Sequence, residues 1–158
     1  MTAPISGREN PAMTSTTGTT SATDRTRAVV EDYLRRAAAG DPDRIAAVYA
    51  EQVDWMVAEN PRVPWIRPRS TRADVAGHWT DLAAHTVPGR GAFSIATIVV
   101  EGSEAVLTGH LSGTVRSTGK TFSGPFALRL SVHDGLITRH HIYENSLSVA
   151  EACTPDGS

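Results

Sequence analysis

The periodicity of the chain changes at Gly91, and that change constrains the fold more than any other feature. From there apolar and polar residues alternate with a period of two, in four runs at about 92–100, 104–116, 120–133 and 136–146. The runs are separated by Glu101-Gly102-Ser103, Ser117-Thr118-Gly119 and His133-Asp134-Gly135. Short glycine-bearing segments of this kind are hairpin connections. The spacing therefore predicts an antiparallel meander of four strands.

Before Gly91 the pattern is helical. Asp24 can cap a helix running to about Ala39, with Val30, Tyr33, Leu34 and Ala37 on one face, and Gly40 ends it. Asp41-Pro42 is an N-cap acid followed by a first-turn proline, and it starts a second helix with Ile45, Val48 and Tyr49 inward. Val53, Trp55 and Val57 alternate with Asp54 and Met56, a short strand. Pro61, Pro64 and Pro68 make the next stretch a loop. Thr71 and Asp74 resemble a capping box, with Asp in the usual Glu or Gln position, ahead of a third helix with Val75, Trp79 and Leu82 on one face. Helices segregated from a meander argue for an α+β fold. Three N-terminal helices would pack on a strongly curved, mainly antiparallel sheet, with a pocket between the layers.

At 158 residues the chain has the size of one domain. Residues 1–23 hold seven Thr and three Ser and no aromatic residue, so they are expected to be a disordered leader. The body is expected to be a single domain over 24–153, with a frayed tail at 154–158. A net charge of −2 leaves no basic footprint for nucleic acid. The lone Cys153 excludes an internal disulfide framework and a cysteine-built zinc site. No apolar run approaches the roughly 20 residues that cross a bilayer, and the first residues lack an apolar signal core, so a cytoplasmic protein is expected. There is no flavin, nicotinamide or phosphate-loop signature, so no organic cofactor is expected.

Three stretches carry a resemblance to a known family. They are Tyr33 to Asp41, Val53 to Val57, and the pair Thr108 to Gly113 with Gly135 to Leu147. They resemble the SnoaL-like polyketide cyclases, within the wider superfamily of ketosteroid isomerase and nuclear transport factor 2, over about residues 24–150. The resemblance implies a cone-shaped NTF2-like fold, a cofactor-independent small-molecule enzyme and a homodimer. It places Tyr33 where the isomerases carry a catalytic tyrosine. Departures from the pattern are as informative. Val57 falls where the isomerase base would be, and Leu128 near its oxyanion-binding aspartate. Ile142 falls where limonene-type epoxide hydrolases carry an aspartate, and Thr108 or His110 near their arginine.

Matching the strands to the superfamily puts His110, His140 and Glu144 on the pocket side. His110 and Glu144 would then serve as acid and base, with Tyr33 or His140 bonding the oxygen that gains charge. Trp55, Val57, Trp65, Trp79, Leu128 and Ile142 would form the walls for a small, largely apolar organic substrate. No metal is expected: His140 and Glu144 are four apart on a strand, about 13 Å at roughly 3.3 Å per residue. His78 and His85 are seven apart on the third helix and read as surface or rim residues. The expected chemistry is acid–base ring closure of the aldol or epoxide-opening type in specialised metabolism. An isomerase or dehydratase on the same scaffold, or a non-catalytic ligand-binding protein, remains as an alternative.

Overall fold

The computed structural model describes residues 18–157. Most of the leader, residues 1–17, lies outside the described residues. Helix α1 spans Ala22–Ala39, three residues earlier than a cap at Asp24 suggests, because the Ser21 hydroxyl accepts from the Asp24 amide and caps the first turn. Gly40 ends it at φ 78°, the left-handed conformation that glycine adopts without penalty. Helix α2 is Pro42–Ala46, capped by Asp41. Strand β1 follows at Tyr49–Val57, then helix α3 at Arg72–His85 with a complete Thr71–Asp74 capping box. The meander is β2 Ala92–Glu101, β3 Glu104–Thr114, β4 Thr121–His133 and β5 Leu136–Glu144.

A fourth helix, α4, spans Ser146–Cys153, so the expectation of three helices was incomplete. Asn145 starts α4 by accepting from the Ser148 amide at 3.2 Å. Val149 and Ala152 then pack with Val63, Trp65, Val115 and Phe122 in a second apolar cluster. Lys120 Nζ reaches the Thr154 carbonyl at 2.8 Å and Asp156 at 2.6 Å, so the segment expected to fray is tied to the β3–β4 turn.

The sheet order is β1-β5-β4-β3-β2, with β1 parallel to β5 and every other pair antiparallel. Register shifts interrupt the ladders at Ile95/Thr97, Ser131/Val132 and Tyr49/Asp54. Bulges of this kind bend a strand and increase its twist, which curves the sheet over the helices. The main core lies between the layers, where Val30, Tyr33, Ile45, Tyr49, Leu107 and Leu128 are each at most 2% exposed. The N-terminus of α1 is pinned to the β2–β3 turn by Thr26 Oγ1 to the Gly102 carbonyl at 2.7 Å and by the Gly102 amide to Thr23 Oγ1 at 2.9 Å.

Candidate active site

The curved sheet, α1, α3 and the proline-rich loop enclose a cavity of about 540 Å³. That volume suits a flat molecule of two or three rings. Trp55 from β1, Trp65 from the loop and Trp79 from α3 line it, with Phe93 from β2 and Phe122 from β4. Val57, Leu128 and Ile142 complete the apolar wall. The residues expected to form the walls therefore all reach the cavity.

Alternation on β5 turns His140, Ile142 and Glu144 to the same inner face, and all three line the cavity. His140 is 4% exposed and stacks on Trp55, and its Nδ1 shares a hydrogen bond with the Tyr49 hydroxyl at 2.8 Å. That bond leaves Nε2 without a protein partner among the described residues. Burial, with lesser repulsion from His78 and His141, pushes the His140 imidazole down to about 3, so it is neutral at pH 7. Tyr33 also lines the cavity, with its ring edge-on to Tyr49 at 6.2 Å. Burial raises its phenol well above the ordinary value, so it stays protonated and can donate.

Glu144 sits at the end of β5, opposite Phe126. Among the described residues no hydrogen bond or ion pair reaches its carboxylate. Burial alone raises its pKa, because no cation stands close enough to oppose it. A carboxyl in this setting exchanges its proton nearer neutrality than an ordinary glutamate does.

His110 is not in the cavity. It is exposed on the outer face of β3, opposite Ser94 and Pro125. The inner face of β3 belongs to Ala105, Leu107, Gly109, Leu111 and Gly113. The glycines are inside because other groups occupy the space of a side chain there. A Cβ on Gly109 would stand 1.8 Å from the Ser94 carbonyl oxygen and 3.0 Å from the Phe126 ring, and one on Gly113 would stand 2.4 Å from the Phe122 ring. Placing His110 inward is thus an error of one residue in register. Asp54 also faces outward, as its alternation predicts, and bonds Arg139 Nε at 2.9 Å.

His78 lines the cavity instead of the rim. It lies three residues after Val75 and one before Trp79, on the inner face of α3, so helical periodicity alone contained the signal. Its ring is 4.9 Å from that of Trp55 and 5.9 Å from that of Trp79. Burial, then the Arg69 guanidinium, lowers its pKa to about 4. Arg69 is 7% exposed and clamps the loop to α3, bonding Asp81 at 2.8 Å, the Asp74 carbonyl at 3.2 Å and the Trp65 carbonyl at 3.3 Å. It crosses α3 at Gly77, where a Cβ would stand 2.8 Å from Arg69 Nη1.

Four helices packed on one curved five-stranded sheet around an aromatic-lined cavity define the NTF2-like fold. The SnoaL-like domain family matches residues 30–140, and the chain belongs to that family. Solved structures agree on the fold. An NTF2-like protein from Burkholderia xenovorans LB400 is 21% identical, with a TM-score of 0.73 over 84% of this chain and 98% of that one. A candidate polyketide cyclase from Xanthomonas campestris pv. campestris is 22% identical, with a TM-score of 0.65 over 85% of this chain and 100% of that one. TerC co-crystallised with polyporic acid is 14% identical, with a TM-score of 0.69 over 82% of this chain and 98% of that one. A search of curated proteins finds no match to the sequence. Among the described residues no helix is long and apolar enough to cross a membrane.

Proposed function

We propose that the protein is a cofactor-independent cyclase of specialised metabolism that closes a ring on a flat, largely apolar substrate by general acid–base catalysis. The observation that carries this reading is the unpaired Glu144 carboxyl on the wall of an aromatic cavity. In an aldol closure, the Glu144 carboxylate takes a proton from carbon next to a carbonyl. The resulting enolate attacks a second carbonyl of the same molecule and forms the ring bond. The alkoxide that results takes the proton back from the Glu144 carboxylic acid, so the enzyme returns to its starting state. Tyr33 and the free nitrogen of His140 supply hydrogen bonds to the oxygens that gain charge. His140 takes the place expected for His110. In an epoxide opening the same carboxylate removes the proton of the attacking hydroxyl, the new C–O bond forms as the epoxide C–O bond breaks, and the Glu144 carboxylic acid returns the proton to the released alkoxide. The cavity supplies proximity by holding both reacting ends in one small volume.

The test is turnover of a candidate polycarbonyl substrate by Glu144→Gln and Tyr33→Phe proteins that retain the wild-type circular dichroism. Cyclisation at the wild-type rate by Glu144→Gln would sink the reading.

The protein is also proposed to work as a homodimer joined through the outer face of the sheet. That face exposes Val99 at 59%, Val106 at 40% and Tyr143 at 55%. Val99 and Val106 pair across the β2–β3 ladder, so they form a contiguous exposed apolar patch, the kind of feature that marks an interface. Sedimentation of wild-type and Val106→Glu protein tests it: the wild type should run as a dimer and the variant as a monomer, and a monomeric wild type would refute it.

A further inference from the structure

The His140 ring is held from two sides. Trp55 stacks on its face with centroids 4.1 Å apart, which fixes the ring plane. The Tyr49 hydroxyl meets its Nδ1 at 2.8 Å. Tyr49 is fully buried, so bulk water cannot receive the phenol proton. Tyr33 approaches edge-on with ring centroids 6.2 Å apart, but the bond to His140 is the only one of hydrogen-bond geometry that the Tyr49 hydroxyl makes among the described residues. A hydroxyl proton left without an acceptor in a dry site is costly, so Tyr49 donates to Nδ1. An imidazole nitrogen that accepts carries no proton, and the single proton of the neutral ring then sits on Nε2. That atom faces the cavity. Among the described residues, the polar side-chain atoms that lack both a partner and accessible surface are Arg69 Nε, Trp79 Nε1 and His141 Nε2. His140 Nε2 also lacks a partner but is not one of these, so it is open to the space that His140 lines.

The geometry points to Tyr49 as a positioning residue that fixes the tautomer of His140, so that the cavity wall presents an Nε2–H donor to a carbonyl oxygen of the ligand. The inference rests on the reading that the cavity takes a flat organic ligand. It does not depend on Glu144 being catalytic. With Nε2 protonated, His140 offers no lone pair to the cavity and cannot take a proton from the ligand there. It can only stabilise an oxygen, and more so as that oxygen gains charge. An ammonium finds no lone pair at this point, and an alkene in place of the carbonyl leaves the N–H unpaired.

Imidazole ¹⁵N spectra of the wild-type protein test the tautomer directly. His140 should show a protonated Nε2 and an unprotonated Nδ1, and the opposite pattern would overturn the assignment. In Tyr49→Phe the Nδ1 resonance should move, because its donor is gone, and an unmoved resonance would remove the role of Tyr49. The ligand probes are 2-acetylnaphthalene and 2-isopropenylnaphthalene, which share a shape and differ in the carbonyl oxygen. Binding is followed by quenching of the tryptophans, all three of which line the cavity. Wild-type protein should bind the ketone about tenfold more tightly, the worth of one hydrogen bond in a dry site. His140→Phe should bind the two equally, while Glu144→Gln should keep the preference. A preference retained in His140→Phe, or lost in Glu144→Gln, would overturn the subsite. Should His140→Phe fail to fold, the wild-type spectra decide: Nε2 should shift on adding the ketone and not on adding the alkene, and an unmoved resonance refutes the subsite. No binding of either arene would remove both the carbonyl subsite and the flat-ligand reading. Inactivity toward every cyclisation substrate, with the ketone preference intact, would remove only the catalytic one.

Discussion

His140 stacks face to face on Trp55, with ring centroids 4.1 Å apart and planes within 9° of parallel. His78 covers Trp55 with its centroid at 4.9 Å. The indole is therefore flanked by two imidazoles, both held neutral by burial. Such a packing tolerates no proton, and the first prediction follows from that.

Stability should fall steeply as the pH drops from 6.5 toward 4. The folded-state pKa values of His78 and His140 lie at about 4 and about 3, below the unfolded value of 6.5. The unfolded chain then binds protons that the native state refuses, so each histidine contributes stability above pH 6.5 that is lost on acidification. At pH 5 the loss is about 2 kcal/mol per histidine. Asp54 and Asp81, held low chiefly by hydrogen bonds to His141 and Arg69 respectively, add to the loss only at lower pH. Urea unfolding at pH 7.5 and pH 5 measures the difference, and His140→Gln should remove about half of it.

Glu144→Gln should cost activity and add stability. Losing the exchangeable proton is expected to slow turnover by about 100- to 10,000-fold. The raised pKa has the opposite sign for folding. Stability is lost as pH rises through the interval between the unfolded and the higher folded pKa, because the charged form is poorly solvated inside. The neutral amide avoids that penalty, so the variant is expected to be more stable than the wild type at pH 8. Thermal unfolding should show the gain shrinking toward pH 4.

Gly113→Ala should destabilise the second apolar cluster, where Phe122 lines the cavity. The new methyl would stand 2.4 Å from Phe122 Cζ, and that ring packs with Trp65 and Val149. Overpacking of this kind costs about 1–3 kcal/mol. Chemical denaturation measures it, and a neutral outcome would mean that the Phe122 ring swings aside without cost.

Arg69→Met should loosen the proline-rich loop and change the titration of His78. The substitution removes the clamp on Trp65 and leaves Asp81 without its 2.8 Å partner. A cost of about 2 kcal/mol is expected, as for losing hydrogen bonds to a charged group, because Asp81 is partly exposed and keeps Arg67 at 3.4 Å. Removing the guanidinium also lifts a repulsion that lowers the His78 pKa, so that pKa should rise, as NMR titration would show. An unchanged His78 would show that burial alone sets its state.

The local pattern in the chain was enough to place most of the elements. Helix caps at Asp41 and Thr71, the stop at Gly40 and the three glycine-bearing turns all act within a few residues, so spacing located the start of α2, helix α3 and the meander, but α2 ends at Ala46 and Tyr49, expected on that helix, opens β1. Helix α4 escaped because β5 ends at Glu144, not near 146, and Asn145 then caps a helix that is only eight residues long. His78 was legible from the period of α3 and was passed over because its spacing to His85 was weighed in place of its spacing to Val75.

What sequence by itself determined is the α+β order and the inward set on β5, where a single alternation puts His140, Ile142 and Glu144 on one side. The face of β3 was legible as well: Ala105, Leu107 and Leu111 alternate with Glu104, Thr108, His110 and Ser112, and it was the match to the superfamily, not the alternation, that turned His110 inward. The ladder shows what fills the inner face: a Cβ at Gly109 would meet the Ser94 carbonyl and the Phe126 ring, one at Gly113 would meet the Phe122 ring, and His110 is left in solvent. Only the tertiary structure decided the charge states inside. Proximity of Arg69 to His78, and the absence of any cation beside Glu144, depend on residues that meet only when the loop, α3 and β5 close around one cavity.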